Sequence, residues 1–380
     1  MTIVVHLGKF YPPDKGGIES VTATLARGAA AAGMATTVLC FEEIGRGDAL
    51  DCGVVVRRLP AIKLSSQPLS LAYFRQALKL ARRADIVHVH LPNMVAALAV
   101  AILGAGPKVV LHWHSDVVDK GLLARLLGPL ERLMLRRADK VICTSKAYAD
   151  ASMALRSVGQ KVEVVPIGVP DLSPICPANQ AGLQTSLSDA LQRHINGRPL
   201  VLAVGRLVPY KGFSVLVNAA QRLAADAAIV IVGGGPLDGA LQRQIDSLGA
   251  GGRVVLAGRV DDATLSALLG LAAVFCMPSV ERSEAFGVSL VEAMARGLPA
   301  VATRIPGSGV PWVNQHGESG LNVTPGDPVD LAAALDLLLG DAALRTRLGF
   351  GARARYQRLF TEDRFVADTL DLYKRALVQG

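Results

Sequence analysis

The sequence predicts an α/β protein of two domains, each built on a parallel sheet. Three observations carry this. A chain of 380 residues exceeds the roughly 250–300 at which a single hydrophobic core stops growing. Hydrophobic residues make up 51% and aromatics only 4%, the balance of Ala/Val/Leu-rich helices on buried parallel strands rather than of antiparallel sandwiches. Short β-branched runs alternate with longer helical patterns twice along the chain, with a break between the two series.

The first series offers strands at TIVVHL, TTVLCF, DIVHVH, KVVLHW and KVICTS, with helices over 20–32, 69–83, 94–103 and 122–137. Crossovers between parallel strands are right-handed, so these βαβ units predict one parallel sheet with helices on both faces. Over 166–200 the pattern gives way to a stretch rich in Pro, Ser, Asn and Gly, with one short helical piece at 187–194. The interdomain connection belongs there, dividing the chain into 1–170 and 171–362. The second series follows: LVLAVG, a helix over 213–224, AAIVIVGGG, 237–248, RVVLAG, 264–271, AAVFCMP, 287–296 and PAVAT. The tail over 363–377 reads as a helix.

TIVVHL has no basic stretch before it and turns polar at His6, so it reads as a first strand rather than a secretory leader. The longest apolar run, beginning at Met94, follows Pro92 and falls short of the roughly 20 residues that span a bilayer. A cytoplasmic protein is expected. Five cysteines, Cys40, Cys52, Cys143, Cys176 and Cys276, are odd in number and widely spaced, which supports neither a disulfide framework nor zinc and predicts burial. Of the net charge of +8, about +7 falls in the first 175 residues. So few aromatics exclude stacking on nucleic acid, and an anionic membrane surface or a lipid-linked acceptor fits better. The segment GLLARLLGPLERLMLRRADK, with seven leucines, four arginines and a lysine, has the pattern of a basic amphipathic helix able to lie on such a surface. A core helix with a charged outer face, interrupted at Gly128 and Pro129, is the alternative.

Ligands of open α/β sheets bind beyond the carboxyl ends of the strands. After the first strand, Gly16 and Gly17 precede a helix whose free amides suit an anion or a sugar; a tight turn needing positive φ is the alternative. In LAVGRLVPYKGF, Arg206 and Lys211 follow a strand and precede a helix. A planar guanidinium fork and a compact ammonium together neutralise a diphosphate without a metal, unless both are simply solvated. In SVERSEAFGVSLVEAMARGLPAVAT, Glu284 falls before a helix and Glu292 inside it. The amides of Phe286, Gly287 and Val288 form a helix start suited to phosphate or sugar oxygens. His112 and His114, like His88 and His90, lie two apart and can share a strand face. No neighbouring Cys or carboxylate completes a metal set and no Asp-x-Asp occurs, so no metal site is expected.

With these segments the chain resembles the retaining glycosyltransferases of family 4, whose hallmark is the Glu-x7-Glu segment at Glu284 and Glu292. FYPPDKGGIE, DIVHVH, LHWHSD, VGRLVPYKG, VGGGP, SEAFGVSLVEA and ESGLNVTPGDPVDLAAAL extend the likeness over nearly the whole chain. The resemblance implies the GT-B fold, two Rossmann-like parallel-sheet domains facing each other across a cleft, with the terminal helix of 363–380 crossing back to the first. It implies that Gly16 and Gly17 approach the sugar nucleotide, Arg206 and Lys211 hold its diphosphate, Glu284 binds the donor sugar and Glu292 the ribose. Gly258, Arg259 and Val260 would border the base, and His114 would touch the transferred sugar. Within the family the opening segment looks most like bacterial mannosyltransferases of cell-surface polysaccharide assembly, which implies GDP-mannose as donor, no metal or other cofactor, and a lipid-linked or saccharide acceptor. The departure is PGSGVPWV, where relatives carry a glutamate at the position of Trp312.

Other functions stay open on the same architecture: a UDP-sugar-dependent transferase, a sugar-nucleotide epimerase, or a non-catalytic nucleotide-sugar-binding protein. An NAD-dependent oxidoreductase is disfavoured by the missing G-x-G-x-x-G after the first strand.

Overall fold

The computed structural model describes residues 1–14, 16–64, 67–116, 121–173, 183 and 187–378, with the backbone alone at 63–64, 67 and 121–127. The chain divides into two compact units, Met1–Gly168 with Glu362–Gly380, and Val169–Thr361.

The first unit carries β1 (Ile3–Leu7), β2 (Ala35–Phe41), β3 (Ala49–Asp51), β4 (Val54–Leu59), β5 (Ile62–Leu64), β6 (Gln67–Leu69), β7 (Ile86–Leu91), β8 (Lys108–Trp113), β9 (Lys140–Cys143) and β10 (Val162–Val164). The main sheet runs β10-β9-β8-β7-β1-β2-β4-β3. Its central strands are buried on both faces, β7 throughout, as a sheet covered on both sides requires. The purely parallel sheet expected from the sequence is corrected at one edge, where β3 pairs antiparallel to β4. The two are joined by a turn in which Cys52 and Gly53 both have positive φ, 48° and 83°, the twist that a two-residue hairpin demands. That turn exposes Cys52, against the expected burial; Cys40, Cys143 and Cys276 are buried, and Cys176 lies outside the described residues. β5 and β6 form a separate antiparallel pair.

Several helices of this unit start on side-chain caps. Ser70 accepts from the Tyr73 amide at the head of Leu71–Ala81, and Asn93 from the Ala96 amide at the head of Met94–Ala101; each satisfies an amide the helix leaves unpaired. The terminal helix Glu362–Val378 packs in this unit. Thr24 donates to Glu362 at 2.8 Å, the Phe365 ring meets His112 edge-on at 6.0 Å, and the Tyr373 hydroxyl lies 2.5 Å from His88 Nδ1.

The second unit carries β11 (Leu200–Val204), β12 (Ala228–Val232), β13 (Val254–Gly258), β14 (Ala272–Met277), β15 (Ala300–Thr303) and β16 (Gly320–Val323). All pair in parallel, in the order β13-β12-β11-β14-β15-β16. Counted within the unit this is the doubly wound order in which the sheet changes direction between its first and fourth strands, here β11 and β14. The core joins Val201, Ala203, Ile229, Ile231, Val274 and Val301 of the strands to Leu216 and Val217 of the helix Phe213–Ala220 and Leu335 and Leu338 of Pro328–Gly340. No helix among the described residues is long and apolar enough to cross a membrane.

Candidate functional site

The reversal of strand order in the second unit fixes where its site forms. Beyond β11 the chain makes a short turn, Pro209–Lys211, and enters the helix Phe213–Ala220 through Gly212 at φ 66°. A Cβ on Gly212 would stand 2.0 Å from the Pro278 carbonyl oxygen beyond β14. Glycine is therefore required twice over, for its conformation and for the contact between the two loops. Val280 completes the junction by donating its amide to Tyr210 O at 2.8 Å.

Across this junction Lys211 Nζ lies 2.6 Å from Glu284 Oε2, and both side chains are largely buried. Ser279 Oγ donates to the same carboxylate oxygen at 3.0 Å. Burial opposes the Lys211 charge, but the carboxylate beside it outweighs that cost and the net effect raises its pKa above the ordinary lysine range. Ser308 Oγ donates to the Glu284 carbonyl, and the Gly309 amide to Ala285 O at 2.9 Å, so the loop carrying Glu284 is tied down from β14 and from the segment after β15.

Sequence reasoning did not single out Ser279 or Ser308. Their signal is weak, since a serine after a strand is commonplace. It also undervalued the glycine run after β12. A Cβ on Gly233 would lie 1.9 Å from Gly205 O, and one on Gly235 2.5 Å from Leu207 O, so the run lets the β12 loop close on the β11 loop.

The remaining expected residues of this unit fall on the same edge of the sheet. Arg206 is exposed directly after β11. The Arg259 stem lies across Gly234, whose Cβ would sit 3.3 Å from Arg259 Nε, and Val260 follows half-buried. Phe286 is buried edge-on against Phe360 at 5.8 Å. Gly287, at φ 90°, caps the helix Val288–Ala295, and Ser289 Oγ bonds Val204 O at 3.2 Å, which brings the free amides of that helix start to the end of β11. Glu292 lies on the second turn of this helix, where burial, with Asp262 adding to it, raises its carboxyl to about 7. Trp312, at the site of the sequence departure, stacks over the Arg355 guanidinium at 5.4 Å and meets Phe360 edge-on at the same separation.

Gly16, Gly17 and His114 belong to the first unit. Gly16 caps the helix Gly17–Ala31 in an extended conformation, φ 171°, which any residue adopts, so the alternative of a turn needing positive φ is corrected. The space over Gly16 holds the Glu19 carboxylate, whose Oε2 is 2.2 Å from where a Cβ would stand. An acidic group there complements the helix dipole.

His114 follows β8 and belongs to a cluster that holds five of the seven histidines, with His6, His88, His90 and His112. His6 pairs with His88, and His90 with His112, in the sheet register, so all five rings stand on one face. Burial drives His6 and His114 down to about 3 and the other three well below their ordinary value; all five are neutral imidazoles. His88, His90 and His112 bring one ring nitrogen each within 4.8 Å of one another. However, the His88 and His90 rings are stacked 4.6 Å apart at 18°, so their in-plane lone pairs do not converge on one ion.

Residues 15–171 match the family described as Glycosyltransferase Family 4, and residues 189–355 the family described as Glycosyl transferases group 1. The D-rhamnosyltransferase WbpZ of Pseudomonas aeruginosa is 33% identical over 363 residues, covering 94% of this chain and 92% of that protein. The O-antigen chain mannosyltransferase C of Escherichia coli is 31% identical over 379 residues, covering 98% of each. Among solved structures, a sucrose-phosphate synthase from Thermosynechococcus elongatus superposes with a TM-score of 0.84 at 21% identity, over 100% of both chains; its two sheet domains have the GT-B architecture, and at that identity the likeness extends to the fold alone.

Proposed function

We propose that this chain, which belongs to the glycosyltransferases of group 1 and family 4, moves mannose from GDP-mannose to a lipid-linked or saccharide acceptor in cell-envelope glycan synthesis. The reaction proceeds with retention of anomeric configuration and needs no metal. The observation that carries the reading is the Lys211–Glu284 pair at the reversal point of the second sheet. It offers an ammonium for phosphate oxygens and, 2.6 Å away, a carboxylate for sugar hydroxyls. The sugar preference rests on the mannosyltransferase relative.

In this mechanism Arg206, Lys211 and the amides of Gly287 and Val288 stabilise the diphosphate as negative charge develops on it. Glu284 and His114 orient the sugar, Glu292 takes the ribose hydroxyls, and Arg259 and Val260 border the base, with Gly16 and Gly17 approaching the donor. The acceptor hydroxyl attacks the anomeric carbon on the face the diphosphate leaves, and its proton passes to the departing phosphate oxygen. In the unliganded protein Lys211 and Glu284 satisfy each other. A bound donor supplies phosphate to one and hydroxyls to the other, so neither charge is stranded.

The D-rhamnosyltransferase relative favours a second reading in which the sugar is a 6-deoxyhexose of the manno configuration. A thermal-shift screen against GDP, UDP, ADP and dTDP and their sugars tests the nucleotide, since a bound ligand raises apparent stability by mass action. Stabilisation by guanosine compounds alone is expected, and a UDP-sugar winner would overturn the donor assignment. Product analysis by NMR, read for the anomer and for 6-deoxy sugar, separates the two sugars and tests retention.

On the same reading the protein works at the cytoplasmic face of the membrane, with the helix Gly121–Arg137 against anionic lipid. Arg132, Leu133 and Arg136 are exposed on it, while the side chains of 121–127, which hold the first four leucines, lie outside the described residues. Cosedimentation with anionic vesicles at low salt is expected, and its absence would remove the membrane from the reading.

A further inference from the structure

The histidines of the first unit form two hydrogen-bonded rows laid one over the other. In one row His6 Nδ1 lies 3.1 Å from His90 Nε2, and His90 Nδ1 lies 3.3 Å from His114 Nε2. In the other the Tyr373 hydroxyl meets His88 Nδ1 at 2.5 Å and His88 Nε2 meets His112 Nδ1 at 3.3 Å. The rows stack, with His112 on His114 at 4.2 Å and 8° and His88 on His90 at 4.6 Å and 18°, which fixes each ring plane. Only His114 is accessible to solvent, at 8% against 0% for the other four.

The first row has only two possible polarities. A neutral imidazole carries one N–H, and each hydrogen bond between rings consumes one. If His90 is protonated at Nδ1, it donates to His114 Nε2, so His114 carries its proton at Nδ1. His6 then donates from Nδ1 to His90, and its Nε2 is a bare lone pair. If His90 is protonated at Nε2, every bond reverses: His114 carries its proton at Nε2 and His6 carries an N–H at its own Nε2. That nitrogen is buried with no hydrogen-bond partner among the described residues. A buried N–H without an acceptor is the rarer defect in folded proteins, so the first polarity prevails.

We infer that His6 and His90 are positioning residues that hold His114 in the Nδ1–H tautomer, so that its remaining nitrogen donates a hydrogen bond to an oxygen of the transferred sugar. The tautomer follows from the row itself; the sugar contact rests on the proposed function of His114. A ring in the opposite state would offer a lone pair at the same place, accept from a hydroxyl and stabilise no oxygen.

Long-range nitrogen-15 spectra of the full chain at neutral pH read the tautomer directly. Expected for His114 are a protonated, pyrrole-type Nδ1 and a bare, pyridine-type Nε2. In His90→Leu the restraint is gone and His114 becomes a mixture. In His90→Asn an amide N–H stands where Nδ1 stood, and the Nδ1–H form returns. His6→Phe keeps the stack and moves the unpartnered nitrogen to His90 Nε2, where the same preference for a bare lone pair retains the Nδ1–H form. Turnover of whichever GDP-, UDP-, ADP- or dTDP-sugar gives the largest thermal shift follows: kcat/KM falls about tenfold in His90→Leu, the worth of one hydrogen bond, and is restored in His90→Asn. An Nε2–H form in the unaltered protein, or a tautomer indifferent to His90→Leu, overturns the relay. The expected spectra together with normal turnover in His114→Ala overturn the sugar contact instead.

Discussion

Lys211 Nζ and Glu284 Oε2 stand 2.6 Å apart across the junction of the β11 and β14 loops. Neither residue can lose its partner cheaply, because removing one member of a buried pair leaves an uncompensated charge. Lys211→Ala is expected to cost about 3 kcal/mol of stability and to lower turnover by at least about a hundredfold, the scale of a lost oxyanion-type contact. Glu284→Gln removes the charge but keeps the shape and the Ser279 contact, so its stability loss is smaller while sugar binding weakens. Urea midpoints and donor kinetics on both variants check this. Full turnover in Lys211→Ala would remove the lysine from the reaction.

A different test isolates the backbone that holds the pair. Gly212 has φ 66° and a Pro278 carbonyl 2.0 Å from any Cβ, whereas Gly33 has φ 83° and no atom of the described residues within 4 Å of a Cβ. Gly33→Ala therefore meets only the left-handed backbone penalty, about 1 kcal/mol. Gly212→Ala meets that and a clash with main chain that cannot swing away, for an expected loss above about 3 kcal/mol. Equal losses in the two variants would mean that the loop junction yields.

The reach of the sequence follows from what each segment had to announce. β11, β12 and β14 are continuous apolar runs, and β1, β7 and β8 are β-branched runs broken only by histidine and a leading lysine, all bounded by turn residues, and they are legible for that reason. β3, β5 and β6 have three residues each and carry no period. β4 carries Arg57 and Arg58 before its last residue, and Arg58 is buried, so its strand character is hidden. The chemistry on the long strands was legible for a second reason: the residues just past them are confined to one edge, which made Arg206, Lys211 and Glu284 worth naming. Contacts were not legible. Nothing in the spacing of Lys211 and Glu284, of Ser308 and Glu284, or of His6 and His90 says that they touch, because each pair is joined only by strand order in the sheet.

Glu292 supplies a pH test with two opposite signs. Burial, then Asp262, raises its carboxyl from 4.5 to about 7 in the folded chain. The folded state thus holds this proton more tightly than the unfolded one. The stability it lends is fully present below pH 4.5 and is lost as pH rises through about 7. Glu292→Gln removes the titration and should be the more stable protein at pH 8 by about 3 kcal/mol, with the advantage shrinking below about 1 kcal/mol at pH 5 and vanishing near pH 4. Ribose hydroxyls donating to the carboxylate favour its ionised form, so donor affinity of the unaltered protein rises through the same window. Denaturant titrations and donor binding at pH 5, 6.5 and 8 read both. A pH-independent affinity would detach Glu292 from the ribose.

The histidine rows predict acid failure of the first unit. Burial lowers His6 and His114 to about 3 and holds His88, His90 and His112 well below 6.5, so the unfolded chain binds more protons at mildly acid pH. Here the sign is reversed: the stability is present above 6.5 and is lost as pH falls from there toward the folded values. His6 and His114 each cost about 1.4 kcal/mol at pH 5.5, and the other three rings act in the same direction. The first unit should therefore lose stability as pH falls below 6.5, before the carboxylates are protonated. His6→Phe, which keeps the aromatic stack, should flatten the slope by one proton, about 1.4 kcal/mol per pH unit, and shift the acid midpoint downward. Circular dichroism against pH on the two proteins measures it. Coincident acid transitions would mean that the His6 ring is already charged in the folded state, and would take with them the argument that all five imidazoles are neutral.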